Sequence, residues 1–114
     1  MTITRTAGRA GRSKAVQFDG TMTCVATAPE TTSSSMLVQT EQALAVIDEC
    51  LAEAGTDKSK VLNATVYLAD MSRWNEMQEA WTAWVDPDNC PTRAIAGVEL
   101  LPGFLVEIVI SATV

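Results

Sequence analysis

The segment that most restricts the fold is VEIVISATV, which ends the chain at residues 106–114. It is apolar at nearly every position and rich in β-branched residues, a composition typical of a buried strand. A strand covered on one side only alternates apolar and polar residues, whereas this one is apolar on both sides. The chain has only 114 residues, so it has little material for a second cover. We expect another copy of the chain to supply that cover.

Two amphipathic helices are predicted on either side of a central strand. Residues 36–54 carry apolar side chains at helical spacing, with a run of threonine and serine before them and Gly55 after them. A second helix is predicted to begin after an N-cap at Asp70 or Ser72 and to end before Pro87. One face of this helix carries four large apolar residues that we expect in the core: Trp74, Met77, Trp81 and Trp84.

Short extended segments account for the rest of the chain. Asp19 and Gly20 predict a tight hairpin between strands near residues 15–18 and 21–26. VLNATVYL reads as the central strand, and RAIAGVEL and LVEIVISATV, joined by LPG, as the last two. The order ββαβαββ predicts an α+β sandwich with two helices on one face of a mixed sheet. Residues 15–114 are predicted to form a single domain, and residues 1–14, which lack periodicity, a flexible N-terminal arm.

The residue types present limit the chemistry. The chain contains no histidine, which removes Ser-His-Asp and Cys-His catalysis and nearly all transition-metal chemistry. Its three cysteines are widely spaced and lack CxxC spacing, so neither a disulfide framework nor a zinc site is indicated. Any reaction must therefore use carboxylates, basic side chains, tyrosine, thiols, hydroxyls or backbone groups.

The charge of the chain is unevenly distributed. Four of the eight basic residues lie within positions 1–14, yet the net charge of the whole chain is −6. A strongly acidic body repels polyanions, so we expect no nucleic-acid partner. No apolar run approaches the about 20 residues needed to span a bilayer, and no signal-peptide pattern is present at the N-terminus. We therefore expect a cytoplasmic protein without a membrane partner.

Arg93 and Glu107 are the candidate site residues. Arg93 begins a predicted strand, and Glu107 is an acid inside an apolar run, where a carboxylate is costly unless it has a partner or a task. If the last two strands are neighbours, both side chains line one cleft at the margin of the sheet. An arginine fork suits a carboxylate ligand, and a glutamate can orient or deprotonate water. The alternative is an exposed ion pair at the edge of a strand.

The region around Arg93 also resembles a known family. PTRA, then LP at Leu101 and Pro102, then VEI, is similar to the C-terminal signature of the RidA/YjgF family, the reactive intermediate imine deaminases. VQTEQALAVIDECLAEAG, VLNATVYLADMSRW and MQEAWTAWV resemble other elements of this family, so the resemblance covers about residues 15–114. It implies a chorismate-mutase-like fold and a homotrimer with clefts between subunits. It also implies hydrolysis of 2-imino or 2-enamino acids to 2-oxo acids and ammonia, without metal or cofactor.

The resemblance assigns roles by position. Arg93 would clamp the carboxylate of a 2-imino or 2-oxo acid, and Glu107 would hold the attacking water together with the backbone carbonyl of Ile95. A protonated imine is already electrophilic, so orientation and a positioned water suffice.

Four positions depart from the family pattern. The chain has Ala26 and Thr27 where the family has Gly-Gln, Gln78 where it has Asn, and Arg12 where it often has Tyr. Arg12 fits either a more anionic, for example dicarboxylic, substrate or an ordinary surface charge.

Three other functions remain open. The first is a non-catalytic trimer that binds small carboxylates or acts as a regulatory protein, and the second is a deaminase of a ring-degradation pathway. The third is a ribonuclease, which the acidic body of the protein disfavours.

Overall fold

The computed structural model describes residues 2–114, in which two helices and a six-stranded sheet are formed. The strands follow one another across the sheet in the order β1-β2-β3-β6-β4-β5. All neighbouring strands are antiparallel except β4 and β5, which are parallel. The predicted α+β class, with two helices and a mixed sheet, is confirmed. The elements are β1 (Thr4–Ala7), β2 (Ser13–Phe18), β3 (Thr21–Ala26), α1 (Met36–Glu53), β4 (Val61–Leu68), α2 (Trp74–Trp84), β5 (Thr92–Gly97) and β6 (Val106–Thr113).

The signals that begin and end α1 and the first hairpin act as predicted. The Ser35 side chain accepts a hydrogen bond from the backbone amide of Val38 at 3.2 Å, which caps the first turn of α1. Gly55 follows α1 with φ of 79°, a conformation that glycine adopts without strain. Asp19 and Gly20 join β2 to β3 with φ of 53° and 77°, as the hairpin prediction required.

The second helix buries less of its aromatic face than predicted. Trp81 is buried, with 6% of its surface exposed, and Met77 is fully buried. Trp74, by contrast, is 49% exposed, so its predicted place in the core is wrong. Trp74 is the first residue of α2 and follows a short 3-10 turn, Met71–Arg73, that has no buried residue, so it lies at the exposed end of the helix.

The sheet has one face under the helices and one face without helices. In β6 the even-numbered residues, such as Ile108 and Ile110, are almost fully buried under the helices. The odd-numbered residues, such as Val109, point to the other face and are half-buried. Val25, which pairs with Val109 on this face, is 48% exposed. The helix-free face thus carries apolar side chains that none of residues 2–114 covers.

Two features of the sheet differ from the sequence predictions. The predicted arm over residues 1–14 contains Thr4–Ala7, which form β1 and pair with β2. Sequence reasoning missed this strand because its side chains are nearly all exposed, and it is held by backbone pairing rather than by an apolar pattern. The prediction that the last two strands are neighbours is wrong, because β4 lies between β5 and β6. A short connection does not force adjacent pairing when an earlier strand takes the intervening place.

The buried thiol of Cys24 predicts that the stability of the protein depends on pH. Cys24 and Cys50 are buried and Cys90 is exposed, and all three are free thiols. Burial, with a smaller effect of neighbouring Cys50, raises the pKa of Cys24 from 9.0 to about 12. Between these values the unfolded chain loses the proton that folded Cys24 retains, so stability falls as pH rises. We expect Cys24→Ala to reduce this fall by about 1.4 kcal/mol per pH unit in urea unfolding.

The exposed thiol provides the control for this prediction. In the native protein at pH 8, a thiol reagent should label one cysteine rapidly, and three after denaturation. Cys90→Ala should abolish the rapid labelling, whereas Cys24→Ala should leave it. Rapid native labelling of Cys24, or a slope of stability against pH that Cys24→Ala leaves unchanged, would contradict the prediction.

Candidate functional site

Arg93 lies on β5 with its side chain directed toward the helix layer. Its guanidinium carbon is 5.1 Å from the centroid of the Trp81 ring on α2. Its Nη1 atom is buried and has no hydrogen-bond partner. Among residues 2–114, no carboxylate forms a salt bridge with it. Burial lowers the pKa of Arg93, because desolvation disfavours the cation. A half-buried cation with a free donor is prepared to bind an anion.

The backbone of Ile95 faces the open edge of the sheet. β5 is the last strand of the sheet and pairs only with β4. The Val98 amide donates a hydrogen bond to the Leu68 carbonyl at 3.0 Å. This bond shows which residues of β5 direct their backbone amide and carbonyl groups toward β4. In a parallel pair these residues alternate, so Ala94 and Ala96 face β4, and the carbonyl of Ile95 faces away from it. This carbonyl oxygen is an acceptor available at the edge, two residues from Arg93.

Glu107 lies on the opposite face of the sheet from Arg93. Arg93 pairs with Ala64, whose side chain is buried under the helices, whereas Glu107 pairs with Tyr67 on the helix-free face. The two positions are also three residues apart along β4, about 10 Å at the rise of a strand. The predicted single-chain cleft from neighbouring last strands is therefore wrong. One chain brings Arg93 and Ile95 together and leaves Glu107 apart from them.

Glu107 lines a broad cavity of about 820 Å³. Its walls come from the β1–β2 hairpin, the segment that follows β3, one side of α1 and the loop that precedes β6. Arg12, Ala26 and Thr27, three of the four positions that depart from the family pattern, line this same cavity. The substitutions are therefore concentrated around one carboxylate rather than scattered over the surface.

Gln78, the fourth departure, lies on the other side of the molecule, near Arg93. It is on α2, three residues before Trp81, which contacts the Arg93 guanidinium. Its Nε2 donates to the Thr82 hydroxyl at 3.0 Å, whereas its Oε1 is buried without a partner. The α2–β5 side of the chain thus carries one unpartnered buried donor and one unpartnered buried acceptor. Polar atoms of this kind are usually satisfied in native proteins by a ligand, a neighbouring chain or an ordered water.

Gln39, which sequence reasoning missed, holds the loop that leads to Glu107. Its Nε2 donates to the carbonyls of Ser33 and Gly103, both at 2.8 Å, and its Oε1 accepts from the Leu105 amide at 2.9 Å. The side chain is fully buried. The available signal was a polar amide at a position on the buried face of α1, where a buried polar group requires partners. Gln39 therefore positions the loop that precedes β6, which forms part of the cavity wall.

Within residues 2–114, no group of three or more His, Cys, Asp or Glu side chains is arranged to hold a metal ion. In the same range, neither helix has the length and apolar character needed to cross a membrane.

Comparison with known proteins identifies the family. The protein-family model that is described as Endoribonuclease L-PSP matches residues 4–114 of the chain. A RutC family protein from Haemophilus ducreyi is 47% identical over 87 residues, 75% of this chain and 74% of that protein. RutC family protein YoaB from Escherichia coli (strain K12) is 36% identical over 115 residues, covering 100% of each chain. The crystal structure of NMB1025, a member of the YjgF protein family from Neisseria meningitidis, has a TM-score of 0.93 and 36% identity, covering 99% of this chain and 95% of that one. Both sequence and fold therefore show that the chain belongs to the RidA/YjgF family.

Proposed function

We propose that the protein is a hydrolytic deaminase that converts reactive 2-imino or 2-enamino acids to 2-oxo acids and ammonia. The observation that carries this proposal is the half-buried Arg93 guanidinium, which has a free buried donor and no carboxylate partner among the described residues. A planar guanidinium binds a small carboxylate through two parallel hydrogen bonds. Arg93 then holds the acid group of the substrate in a fixed orientation.

The active site of this proposal requires a second copy of the chain. Arg93 and the Ile95 carbonyl are at the open edge of β5, and Glu107 is on the helix-free face. If the β5 edge of one copy packs beside the helix-free face of the next, Arg93 and Ile95 of one meet Glu107 of the other. A contact between two different surfaces is head-to-tail, and it forms a closed ring when the rotation between successive copies closes. The homotrimer that the family resemblance implies is such a ring. The same contact covers Val25 and the other apolar side chains on that face.

The chemistry needs one positioned water. Arg93 binds the substrate carboxylate, and Glu107 and the Ile95 carbonyl accept hydrogen bonds from a water placed against the imine carbon. As the water oxygen bonds to the carbon of the protonated imine, C=NH2⁺, Glu107 takes one water proton, and the C=N π electrons move to nitrogen to give an amine. Glu107 then returns the proton to the nitrogen, the C–N bond breaks, and ammonia leaves as the carbonyl forms. The remaining proton of the former water passes to the solvent, giving the 2-oxo acid.

Hydrolysis of 2-iminobutyrate tests the proposal directly. An amino-acid oxidase generates the imine from 2-aminobutyrate, and formation of 2-oxobutyrate is followed with and without the protein. We expect acceleration by the wild type and a loss of about 100-fold in kcat with Glu107→Gln, because the amide cannot accept the water proton. Glu99→Gln is the matched control, since Glu99 is an exposed glutamate between β5 and β6.

Three outcomes would contradict the proposal. No acceleration with any of several imino acids, together with 2-oxobutyrate bound at Arg93, would favour a protein that only binds small carboxylates. A solution mass equal to the single 12.2 kDa chain would remove the shared cleft. The family description names an endoribonuclease, although a net charge of −6 opposes binding of a polyanion. RNA cleavage that survives purification and is lost in Arg93→Ala would favour that activity instead.

A further inference from the structure

The cavity that contains Glu107 has a cationic rim. Arg9 and Arg12, on the loop between β1 and β2, both line it. Lys14 also lines the cavity, but it is engaged with Glu49 and Glu53 on α1, at 3.7 and 3.9 Å. Among residues 2–114, neither arginine forms a salt bridge, although the chain has 14 acidic residues. Arg9 and Arg12 therefore line the cavity without a salt bridge to any of these residues, whereas the two carboxylates in the same lining are Glu49, which is paired with Lys14, and Glu107.

The backbone of the loop holds these arginines at the cavity. The Arg12 amide donates to the Arg9 carbonyl at 3.2 Å, and Nη1 of Arg12 donates to the same carbonyl at 3.3 Å. Ala10 and Gly11 complete the turn with φ of 53° and 79°. A Cβ atom added at Gly8 would lie 2.2 Å from the Arg12 carbonyl oxygen, so the close approach of the two strands requires glycine there. The segment that carries Arg9 and Arg12 is therefore a hairpin with a defined turn rather than an extended tail.

The lining of the cavity suits a ligand that has an acid group at the end farther from Glu107. Leu101 and Phe104 form an apolar wall of the cavity, and Thr27 contributes a hydroxyl group. Glu107, on β6, lines the side of the cavity that the sheet forms. A volume of about 820 Å³ exceeds what a four-carbon imino acid needs. A ligand that reacts beside Glu107 can therefore extend toward the arginine rim, where a second carboxylate would meet Arg12.

We propose that the substrate is a 2-imino dicarboxylate whose second carboxylate binds Arg12 at the β1–β2 hairpin, with Arg9 beside it. The inference rests on the proposed function, since it takes the reacting carbon to lie at Glu107 and the first carboxylate to lie at Arg93 of a neighbouring copy. Arg12 is then a specificity-determining residue. The reaction that supplies such a substrate is the oxidation of an amino acid that has an acidic side chain.

Paired substrates test the inference. Amino-acid oxidases generate 2-iminobutyrate from 2-aminobutyrate and 2-iminoglutarate from glutamate, and kcat/KM is measured for both. We expect the wild type to favour 2-iminoglutarate by about fivefold, the upper end of what a contact between a carboxylate and an exposed arginine provides. Arg12→Gln should remove this preference, because it should lower kcat/KM for 2-iminoglutarate more than kcat/KM for 2-iminobutyrate. Arg5→Gln is the matched control, because Arg5 is exposed on β1 and is not among the residues that line the cavity.

A second variant and a binding measurement make the result specific. Gly8→Ala, which displaces the Arg12 backbone, should lower the preference in the same direction as Arg12→Gln. In competition, 2-oxoglutarate should inhibit the wild type more strongly than 2-oxobutyrate, and Arg12→Gln should abolish that difference. Equal rates with the two imines, or a preference that survives Arg12→Gln, would overturn the inference and leave the proposed deaminase intact. Hydrolysis of neither imine would instead overturn the proposed function itself.

Discussion

Arg93→Met should lower kcat/KM for imine hydrolysis by about 100- to 1,000-fold, the effect of removing one partner of a desolvated charge pair. The same change should leave the free energy of unfolding nearly unchanged. Arg93 has a buried Nη1 without a partner, so its removal relieves a desolvation cost. This gain offsets the loss of the guanidinium contact with Trp81, which is worth about 1 kcal/mol. Initial rates and urea unfolding of the same preparations measure the two effects.

Two other arginine variants sharpen this prediction. Arg93→Lys retains the charge but not the planar fork, so we expect it to recover only part of the activity. Arg73→Met is the matched control, because Arg73 forms a salt bridge with Glu76 at 2.8 Å and donates to the Ser34 carbonyl at 3.0 Å. It should reduce stability and leave the rate unchanged, which is the opposite pattern. Full activity in Arg93→Met, or a crystal with 2-oxobutyrate bound away from Arg93, would refute the site.

Gln39→Leu should lower the free energy of unfolding by about 2–3 kcal/mol, because three partly buried backbone groups lose their partners, each at the lower end of the about 1–3 kcal/mol that an unsatisfied group costs. These groups are the Ser33 and Gly103 carbonyls and the Leu105 amide. Leucine fills most of the glutamine volume, so the loss reports on hydrogen bonds rather than on a cavity. Urea unfolding, with the slope m compared between variants, measures the change.

Gln42 on the same helix provides the control for Gln39. Its Oε1 is buried without a hydrogen-bond partner, so Gln42→Leu removes no accepted bond and should leave stability unchanged or raise it. The loop that Gln39 holds carries Leu101 and Phe104 on the cavity wall, so Gln39→Leu should also reduce activity below the unfolding transition. A stability loss under 1 kcal/mol would contradict the predicted role of Gln39.

Local signals predicted the helices and the turn between β2 and β3. The cap at Ser35, the stop at Gly55 and the hairpin at Asp19 all depend on residues within a few positions of each other. The apolar C-terminal run predicted a second apolar face, and Val25 on that face is 48% exposed in the single chain. The PTRA motif identified Arg93 as a candidate site residue. It also indicated the RidA/YjgF family, which the comparisons show.

Long-range pairing could not be predicted from these signals. The insertion of β4 between β5 and β6 places Arg93 and Glu107 on opposite faces, and the sequence contains no local cue for that order. β1 was missed because backbone pairing with β2, not side-chain burial, defines it. The role of Gln39 depends on carbonyls and an amide that are brought to it from as far as 66 residues along the chain.

The sequence by itself determined where α1 begins and ends, which residues could carry chemistry, and which family the chain resembles. Capping, periodicity and residue type act over a few neighbouring positions, so a linear pattern contains them. Only the tertiary structure decided that Arg93 retains a free buried donor, that Glu107 faces away from it, and that Arg12 shares a cavity with Glu107. These relations arise from strand order and from contacts between distant segments, whose register is set by packing of the whole sheet.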